Sequence, residues 1–386
     1  MTDTEQCAVC LGLLSQPPLL TYPGSPQSAQ GFLDNLHNLD RDDHSVELKI
    51  YQCSCCGLVQ HSLPPVSYYK EVIRAVAFSP EMGQFRLSQM EQWIKEFKLA
   101  DKRILEIGSG KGEYLELLGK SGAKKLFGIE HSLESVGVAK QKGLDVKQGY
   151  ICKGFKNPWE QNFDAFVIFS FLEHWPNLNE SLRALRDTLN EGCVGLIEVP
   201  NFELILENGL YSEFTTDHIY YFDRRTLRTV LELNGFEVMS IEDVWHDYIL
   251  SARVRKRDIL NTSVFHHKQG KIVQELNQFV GGFRPHEVVI WGAGHQALAV
   301  IAMTKLQDSV AYVVDSANFK QGKYTPATHL LIKPPSSLNE DGVKAVVIMA
   351  AAYSDEIART LKSSFSSIEH VAILREDSLE VLNNDK

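Results

Sequence analysis

The residues best equipped for chemistry stand in one run, Ile104-Leu105-Glu106-Ile107-Gly108-Ser109-Gly110-Lys111-Gly112. An apolar stretch ends in Glu-x-Gly-x-Gly-x-Gly and opens into the helical pattern Glu113–Lys120. Glycines at a strand-to-helix turn let a ligand approach bare backbone at a helix N-terminus. Nicotinamide-binding turns carry Gly-x-Gly-x-x-Gly. Here the spacing differs, and the carboxylate of Glu106 comes just before the first glycine. An acidic, glycine-lined turn suits the cationic amino-acid end of S-adenosylmethionine (SAM), with a bare tight turn as the bland alternative. The run Lys125-Leu-Phe-Gly-Ile-Glu130 then ends in a second acid, placed to accept hydrogen bonds from two ribose hydroxyls. Glu106, Gly108, Ser109, Gly110, Gly112 and Glu130 are therefore the expected cofactor contacts, and the segment reads as a SAM-dependent methyltransferase core.

A second chemistry lies in the cysteines. Five of the seven fall within the first 56 residues, and Cys7-x-x-Cys10 and Cys53-x-x-Cys56 form two pairs with 42 residues between them. Tetrahedral Zn²⁺ takes four thiolates from two such loops, and Gly57 suits the tight turn of a knuckle. Cys7, Cys10, Cys53 and Cys56 are the expected ligands of a closed, structural zinc site. Cys55 could replace Cys53, while His44 and His61 are spare candidates.

The elements that position these groups follow from periodicity. Residues 1–66 are cysteine-bearing and turn-rich; residues 67–98 read as helical, with Met82, Phe85, Met90, Trp93, Ile94 and Phe97 on one stripe. From 103 to about 254 strands and helices alternate: Arg103–Ile107, Lys125–Glu130, Asp145–Gly149, Phe163–Ser170 and Cys193–Val199, then a helix Arg224–Asn234 and the extended runs Phe236–Asp243 and Tyr248–Val254. That pattern predicts a doubly wound α/β sheet of class I SAM-methyltransferase type. After a polar linker at Lys256–Ser263 and a helix at His266–Phe279, a second alternating unit begins at Glu287–Trp291 and ends near Val371–Leu374. The expected domains are 1–66, zinc-binding; 67–255, methyltransferase with a helical lead-in; and 256–386, a Rossmann-like α/β domain.

The 386-residue length suits two or three domains. A hydrophobic content of 44% with 23% charged residues is that of a soluble globular chain. A net charge of −10 argues against a sequence-independent grip on nucleic acid, which needs Lys and Arg against phosphates. The first residues lack a signal peptide's pattern, and no apolar run approaches the roughly 20 residues of a membrane span. Cytoplasmic residence without membrane association is expected, and nothing indicates an oligomer.

Ligands of open α/β sheets sit at the carboxyl ends of the strands. His174 follows the fourth strand there, and Asp217-His218 lies beyond the fifth. An imidazole is a suitable base for an acidic α-proton, and a neighbouring carboxylate can hold its tautomer. A satisfied structural histidine is the alternative for either. Glu198 and Asn201, flanking Pro200, are candidates to line the same site, with capping or solvation as the competing roles. In the last domain Gly292-Ala-Gly294-His295 follows an apolar strand, and Asp315 stands 23 residues after Gly292, where a ribose-binding acid would sit. The turn is expected to cradle a nucleotide or diphosphate, with His295, Lys320 and Lys323 as phosphate partners. A second dinucleotide cofactor and a purely architectural domain are the other readings.

Together these features resemble the sugar C-methyltransferases that act on nucleotide-linked keto-deoxysugars. The resemblance rests on Cys7-x-x-Cys10, Cys53-x-x-Cys56-Gly-Leu-Val-Gln60, the glycine turn, Gly292-Ala-Gly294, the run Val313-Val-Asp315-Ser-Ala-Asn-Phe-Lys320-Gln-Gly322-Lys323-Tyr-Thr-Pro326 and Ala351-Ala-Tyr353-Ser-Asp-Glu356-Ile. It implies a zinc at the N-terminus, SAM in the middle, and a nucleotide-sugar held between the central and terminal domains. It also implies His218, next to Asp217, as the base that deprotonates beside a ketone so that the enolate carbon attacks the SAM methyl. His174 would be the second active-site histidine; the family's Tyr near the start of the helical segment has no clear counterpart, Tyr68 and Tyr69 standing near its place, with Tyr69 the expected substrate contact. The chain departs from the family pattern at Asp217, where Glu is usual, at Thr215, where Tyr is usual, and in the His-Gln after Gly294. The resulting expectation is C-methylation of a keto-deoxysugar nucleotide. The alternatives are O- or N-methylation of a sugar nucleotide or natural-product scaffold and, from another class, a zinc-ribbon module that binds RNA or protein.

Overall fold

The computed structural model describes residues 6–28, 44–70, 79–284, 286–339 and 342–382. It divides into two compact units, Met1–Ile259 and Leu260–Lys386.

In the first unit a seven-stranded sheet is built from β4 (Arg103–Ile107), β5 (Lys125–Glu130), β6 (Asp145–Gln148), β7 (Phe163–Phe169), β8 (Leu189–Pro200), β10 (Phe236–Val244) and β11 (Ile249–Lys256). Its order is β10-β11-β8-β7-β4-β5-β6. The pairs from β8 through β6 are parallel, while β11 runs antiparallel to both neighbours. The reversal is local in origin. Only four residues separate β10 from β11, too few for the crossover that a parallel pair requires. The sheet is buried on both faces, so its central strands are apolar throughout rather than alternating. Leu105, Ile107, Phe166 and Ile168 enter one core layer, and Ile104, Ala165, Val167 and Phe169 the other.

Among the described residues of the lead-in, the helix is α1 (Pro80–Glu96), capped by the Ser79 side chain and started by Pro80. Residues 67–70 form a turn, and 71–78 lie outside the described residues. Met90, Trp93 and Ile94 of the expected stripe are buried, and so is Arg86. Four further helices matter for the site's surroundings: α2 (Glu113–Lys120), α3 (Leu133–Gln141), α4 (Leu178–Arg186) and α5 (Phe202–Glu207).

The described part of residues 1–66 lies within the first unit and pairs with its central region. Strands β1 (Leu20–Pro26), β2 (Ser45–Gln52) and β3 (Val59–His61) form an antiparallel sheet whose fourth member, β9 (Tyr220–Tyr221), comes from the central region. Cys7, Val9, Leu14 and Leu58 share one apolar cluster with Trp175, Leu178 and Tyr220. The turn-rich Tyr22–Pro26 is itself strand. Its two prolines sit on an edge, where an N–H is dispensable, and the register shifts between Tyr22 and Ser25. A capping box at Asp223 and Thr226 starts α6 (Arg224–Leu233), which follows β9.

The second unit opens with α7 (Ser263–Val280) and forms a sheet from β12 (Val288–Trp291), β13 (Val313–Val314), β14 (Ile332–Lys333), β15 (Ala345–Ile348), β16 (His370–Leu374) and β17 (Leu379–Leu382), in order β14-β13-β12-β15-β16-β17. All pairs are parallel except the last. The chain does not end its sheet at β16, as periodicity suggested, because a hairpin adds β17. Helices α8 (His295–Thr304) and α9 (Ser354–Ser364) cover its faces. Among the described residues no helix is long and apolar enough to cross a membrane.

Candidate active site

Strand β4 delivers the glycine turn. Gly108, Gly110 and Gly112 all have positive φ, at 70°, 55° and 86°. A Cβ on Gly112 would stand 2.2 Å from Leu144 Cδ1, so the position demands glycine on both counts. The turn is stitched to β5 by Gly108 N and Ser109 N, which both donate to Ile129 O at 2.9 and 3.1 Å. Glu130 closes it: Oε2 accepts from Gly110 N at 2.9 Å and Oε1 from Ser132 N at 2.8 Å. Burial raises the Glu130 carboxyl while those backbone donors hold it down. The carboxylate keeps acceptor capacity beyond these bonds, which is what a ribose hydroxyl would need. Glu106 is buried at 1% exposure and pairs in register with Gly128. Sequence reasoning passed over Gly128, where a Cβ would meet Ser109 Oγ at 2.6 Å; its bareness makes room for the turn.

The two histidines meet. His174 closes a short 3₁₀ turn, Leu172–His174, just beyond β7, and His218 lies between β8 and β9. Their ring centroids are 4.8 Å apart. His174 Nδ1 contacts the Asp217 backbone O at 2.9 Å, and its Nε2 lies 3.9 Å from Glu173 Oε1. Asp217 therefore orients His174 with its carbonyl, while its carboxylate Oδ1 accepts from Tyr68 OH at 2.7 Å. Tyr68, not Tyr69, reaches the acid; Tyr69 packs edge-on against Tyr150.

The segment carrying Asp217-His218 is clamped from several sides. His61 Nδ1 accepts from Leu63 N at 3.1 Å, so its Nε2–H donates to Thr216 O at 3.2 Å. His61 N donates to Ile219 O, and Ile219 N donates to Glu173 O at 3.0 Å. His61 is thus a staple of this segment rather than a spare metal ligand, and His44 is not in the thiol cluster either. No local pattern marks that role, which depends on β3 pairing with β9. Burial holds all three imidazoles neutral: His61 falls to about 4 and His218 to about 3, with His174 and His61 adding to the latter. His174 is lowered too, against the pull of Asp217.

Glu198 and Asn201 are occupied elsewhere. Glu198 is fully buried, ion-paired with Arg86 and accepting from Gln89 Nε2 at 2.5 Å. Arg86 in turn lies over the Phe169 ring at 4.9 Å. Asn201 caps α5 through Glu203 N and donates to Asp247 O at 2.8 Å. Both are held in the framework. Arg86 was missed because a charge on an apolar helical stripe reads as an interruption, not as half of a buried pair.

In the second unit Gly292 has φ 127°, and a Cβ there would come within 2.5 Å of Met349 O. Gly294 caps α8, with His295 exposed in its first turn. Asp315 is already engaged, accepting from Ala293 N, Ala317 N and Lys320 Nζ, each at 2.8 Å. Lys320 is therefore neutralised by the acid that sequence spacing assigned to ribose, while Lys323 is exposed.

The four expected thiols converge. Cys10 and Cys53 Sγ are 3.4 Å apart, Cys7 and Cys56 Sγ 3.7 Å, and all four lie within 4.8 Å of one another. Zn–S bonds of about 2.3 Å in a tetrahedron separate sulfurs by roughly 3.8 Å, so the donor set fits a zinc ion. Peptide N–H groups of Val9, Gly12 and Cys55 point at three of the sulfurs. Cys55 is exposed and outside the cluster, which resolves the choice in favour of Cys53.

A glycine turn after the first parallel strand, an acid ending the second, and the order β6-β5-β4-β7-β8-β11-β10 define the class I SAM-methyltransferase fold. Residues 82–241 match the family described as methyltransferase domain, and residues 254–370 the family described as C-methyltransferase C-terminal domain. The chain therefore carries a methyltransferase domain followed by a C-methyltransferase C-terminal domain. The C-methyltransferase NovU of Streptomyces niveus is 22% identical over 212 residues, 52% of this chain; the match spans half of that relative's length. Among solved structures, a SAM-dependent methyltransferase from Mesorhizobium loti aligns at 14% identity over 44% of this chain and 99% of its own, with a TM-score of 0.35. The magnesium protoporphyrin IX methyltransferase of Synechocystis PCC 6803, with bound SAH, aligns at 16% identity over 48% and 90%, with a TM-score of 0.37.

Proposed function

We propose that this protein is a SAM-dependent C-methyltransferase of a nucleotide-linked keto-deoxysugar. The observation that carries the reading is the approach of His174 and His218 to 4.8 Å, on segments that follow parallel strands ending on the same edge as the glycine turn. Neutral imidazoles there are ready to accept a proton. SAM, held at Glu106, the Gly108–Gly112 turn and Glu130, would supply an electrophilic methyl group. His218 takes the proton beside the substrate ketone and leaves a carbon nucleophile. His174, oriented by the Asp217 carbonyl, borders the same space, and Tyr68 fixes the Asp217 side chain. Within the second unit, the Gly292–Gly294 turn with His295 and Lys323 is the candidate for holding a nucleotide or diphosphate. The relationship to NovU, named a C-methyltransferase, supports carbon as the accepting atom. Zinc at Cys7, Cys10, Cys53 and Cys56 is structural in this reading: it ties the Cys7–Cys10 knuckle to the Cys53–Cys56 knuckle, which joins β2 to β3, the strand that pairs with β9. Cytoplasmic residence belongs to the same proposal.

The test incubates the protein with methyl-labelled SAM and a panel of enzymatically generated nucleoside-diphosphate keto-deoxysugars, read by mass spectrometry. One added methyl on a ring carbon, abolished in His218→Ala with SAM affinity retained, supports the assignment. A methyl on oxygen or nitrogen refutes C-methylation, and unchanged turnover in His218→Ala removes it as the base.

A further inference from the structure

Beside the histidine pair lies an acid that the functional reading leaves idle. Glu173 is buried at 1% exposure, and among the described residues its Oε2 has no hydrogen-bond partner. A buried carboxylate with one oxygen unpartnered is costly to keep, so its place calls for a reason. Its carboxylate and one ring nitrogen from each of His174 and His218 all lie within 4.8 Å of one another. Once His174 Nδ1–H donates to the Asp217 carbonyl, its Nε2 presents a lone pair toward Glu173 Oε1, 3.9 Å away. Once Glu173 is ionised the two are facing acceptors, the form of the cluster that takes up a proton.

We infer that Glu173 is the proton sink of this site: the proton that His218 removes from the substrate passes, alongside His174, to the Glu173 carboxylate. The inference rests on the functional reading above. The substrate C–H bond breaks and its electron pair stays on the substrate. The proton goes first to a His218 nitrogen and then to a Glu173 oxygen, which becomes a carboxylic acid. After methyl transfer that proton leaves to water and the carboxylate is restored. Glu173 acts through the histidines and has no need to touch the substrate.

The environment sets the direction of this transfer. A charged imidazole is costly beside two other imidazoles and out of water, and His218 is held at about 3. Burial acts in the opposite sense on an acid and pushes Glu173 up to about 8. A proton on His218 therefore runs downhill to Glu173. The other titratable groups around the cluster are His61, Asp217 with Tyr68, and Tyr248, whose hydroxyl donates to Glu213 at 2.7 Å and which also senses the Glu173 charge. None of them offers a free carboxylate to the His174 Nε2 lone pair.

The test is solvent-deuterium exchange into the same panel of keto-deoxysugar nucleotides, without SAM, across pH 6 to 10. The wild type is expected to exchange faster as pH rises through about 8, where Glu173 ionises. Glu173→Gln should lose that inflection and slow on the order of tenfold or more, with SAM affinity unchanged. Glu173→Asp should restore part of the rate. Wild-type exchange that Glu173→Gln matches in rate and pH profile overturns the sink while leaving the functional reading standing. A wild-type profile without an inflection near 8 does the same, with no reference to any variant. No exchange by the wild type with any member of the panel overturns the functional reading, and the sink with it.

Discussion

Replacing His61 by Leu isolates the link between the cysteine-bearing sheet and the histidine segment. The side chain is 1% exposed, so Leu keeps the bulk while removing both ring hydrogen bonds. Thr216 O and Leu63 N–H lose partners in a buried and a half-buried setting. At about 1–3 kcal/mol for each unsatisfied group, with Leu63 at the low end, the expected loss is about 2–4 kcal/mol. The backbone bond from residue 61 to Ile219 O survives the substitution, so the strand pairing should persist. The segment should loosen rather than unfold. A displacement of about 1 Å at a base can cost on the order of 100-fold in rate, so kcat should fall by roughly 10–100-fold. SAM affinity should hold, since the glycine turn is stitched to β5, not to this segment. The pH dependence provides a second check. His61 titrates at about 4 when folded and near 6.5 when unfolded. Its contribution, roughly 3 kcal/mol, is therefore present above pH 6.5 and lost as pH falls from there toward 4. The variant should show a shallower acid loss of stability over that window. Urea unfolding at several pH values, combined with steady-state methyl transfer, reads all three quantities. Wild-type stability, or a stability loss with kcat fully retained, would refute the clamp.

Three other perturbations test separate parts of the molecule. Gly112→Ala places a methyl 2.2 Å from Leu144 Cδ1 on a backbone at φ 86°, and should raise the SAM Kd by about tenfold or more by calorimetry. Arg86→Met strands the buried Glu198 and should cost about 3–5 kcal/mol. The double variant with Glu198→Gln should recover much of that loss in the same denaturation assay, and no recovery would argue against the pair. Cys10→Ser should abolish stoichiometric zinc by elemental analysis and lower the stability of the N-terminal sheet with little change in SAM affinity. Full zinc retention would exclude Cys10 as a ligand.

Much of this architecture was legible before any coordinates. A turn needing positive φ at three places advertises itself through Gly108, Gly110 and Gly112, and alternation of apolar runs with amphipathic stretches dictates the parallel sheet, because both signals are local. Paired Cys-x-x-Cys spacing likewise reports a geometric need within each knuckle. What the chain did not disclose locally are contacts made between segments far apart in sequence. Whether Cys53 or Cys55 joins the cluster depends on which way each side chain points once Leu14 pairs with Cys53. Composition marks off the cysteine segment but does not tell that β3 pairs with β9, 159 residues after it in number, which sets His61 against Thr216. Glu198 and Asp315 sat at strand ends where ligands bind, yet Arg86 and Lys320 reach them first. Type and spacing along one strand or helix are written in periodicity; which buried charge meets which partner is decided by packing, since only the folded chain removes both from water.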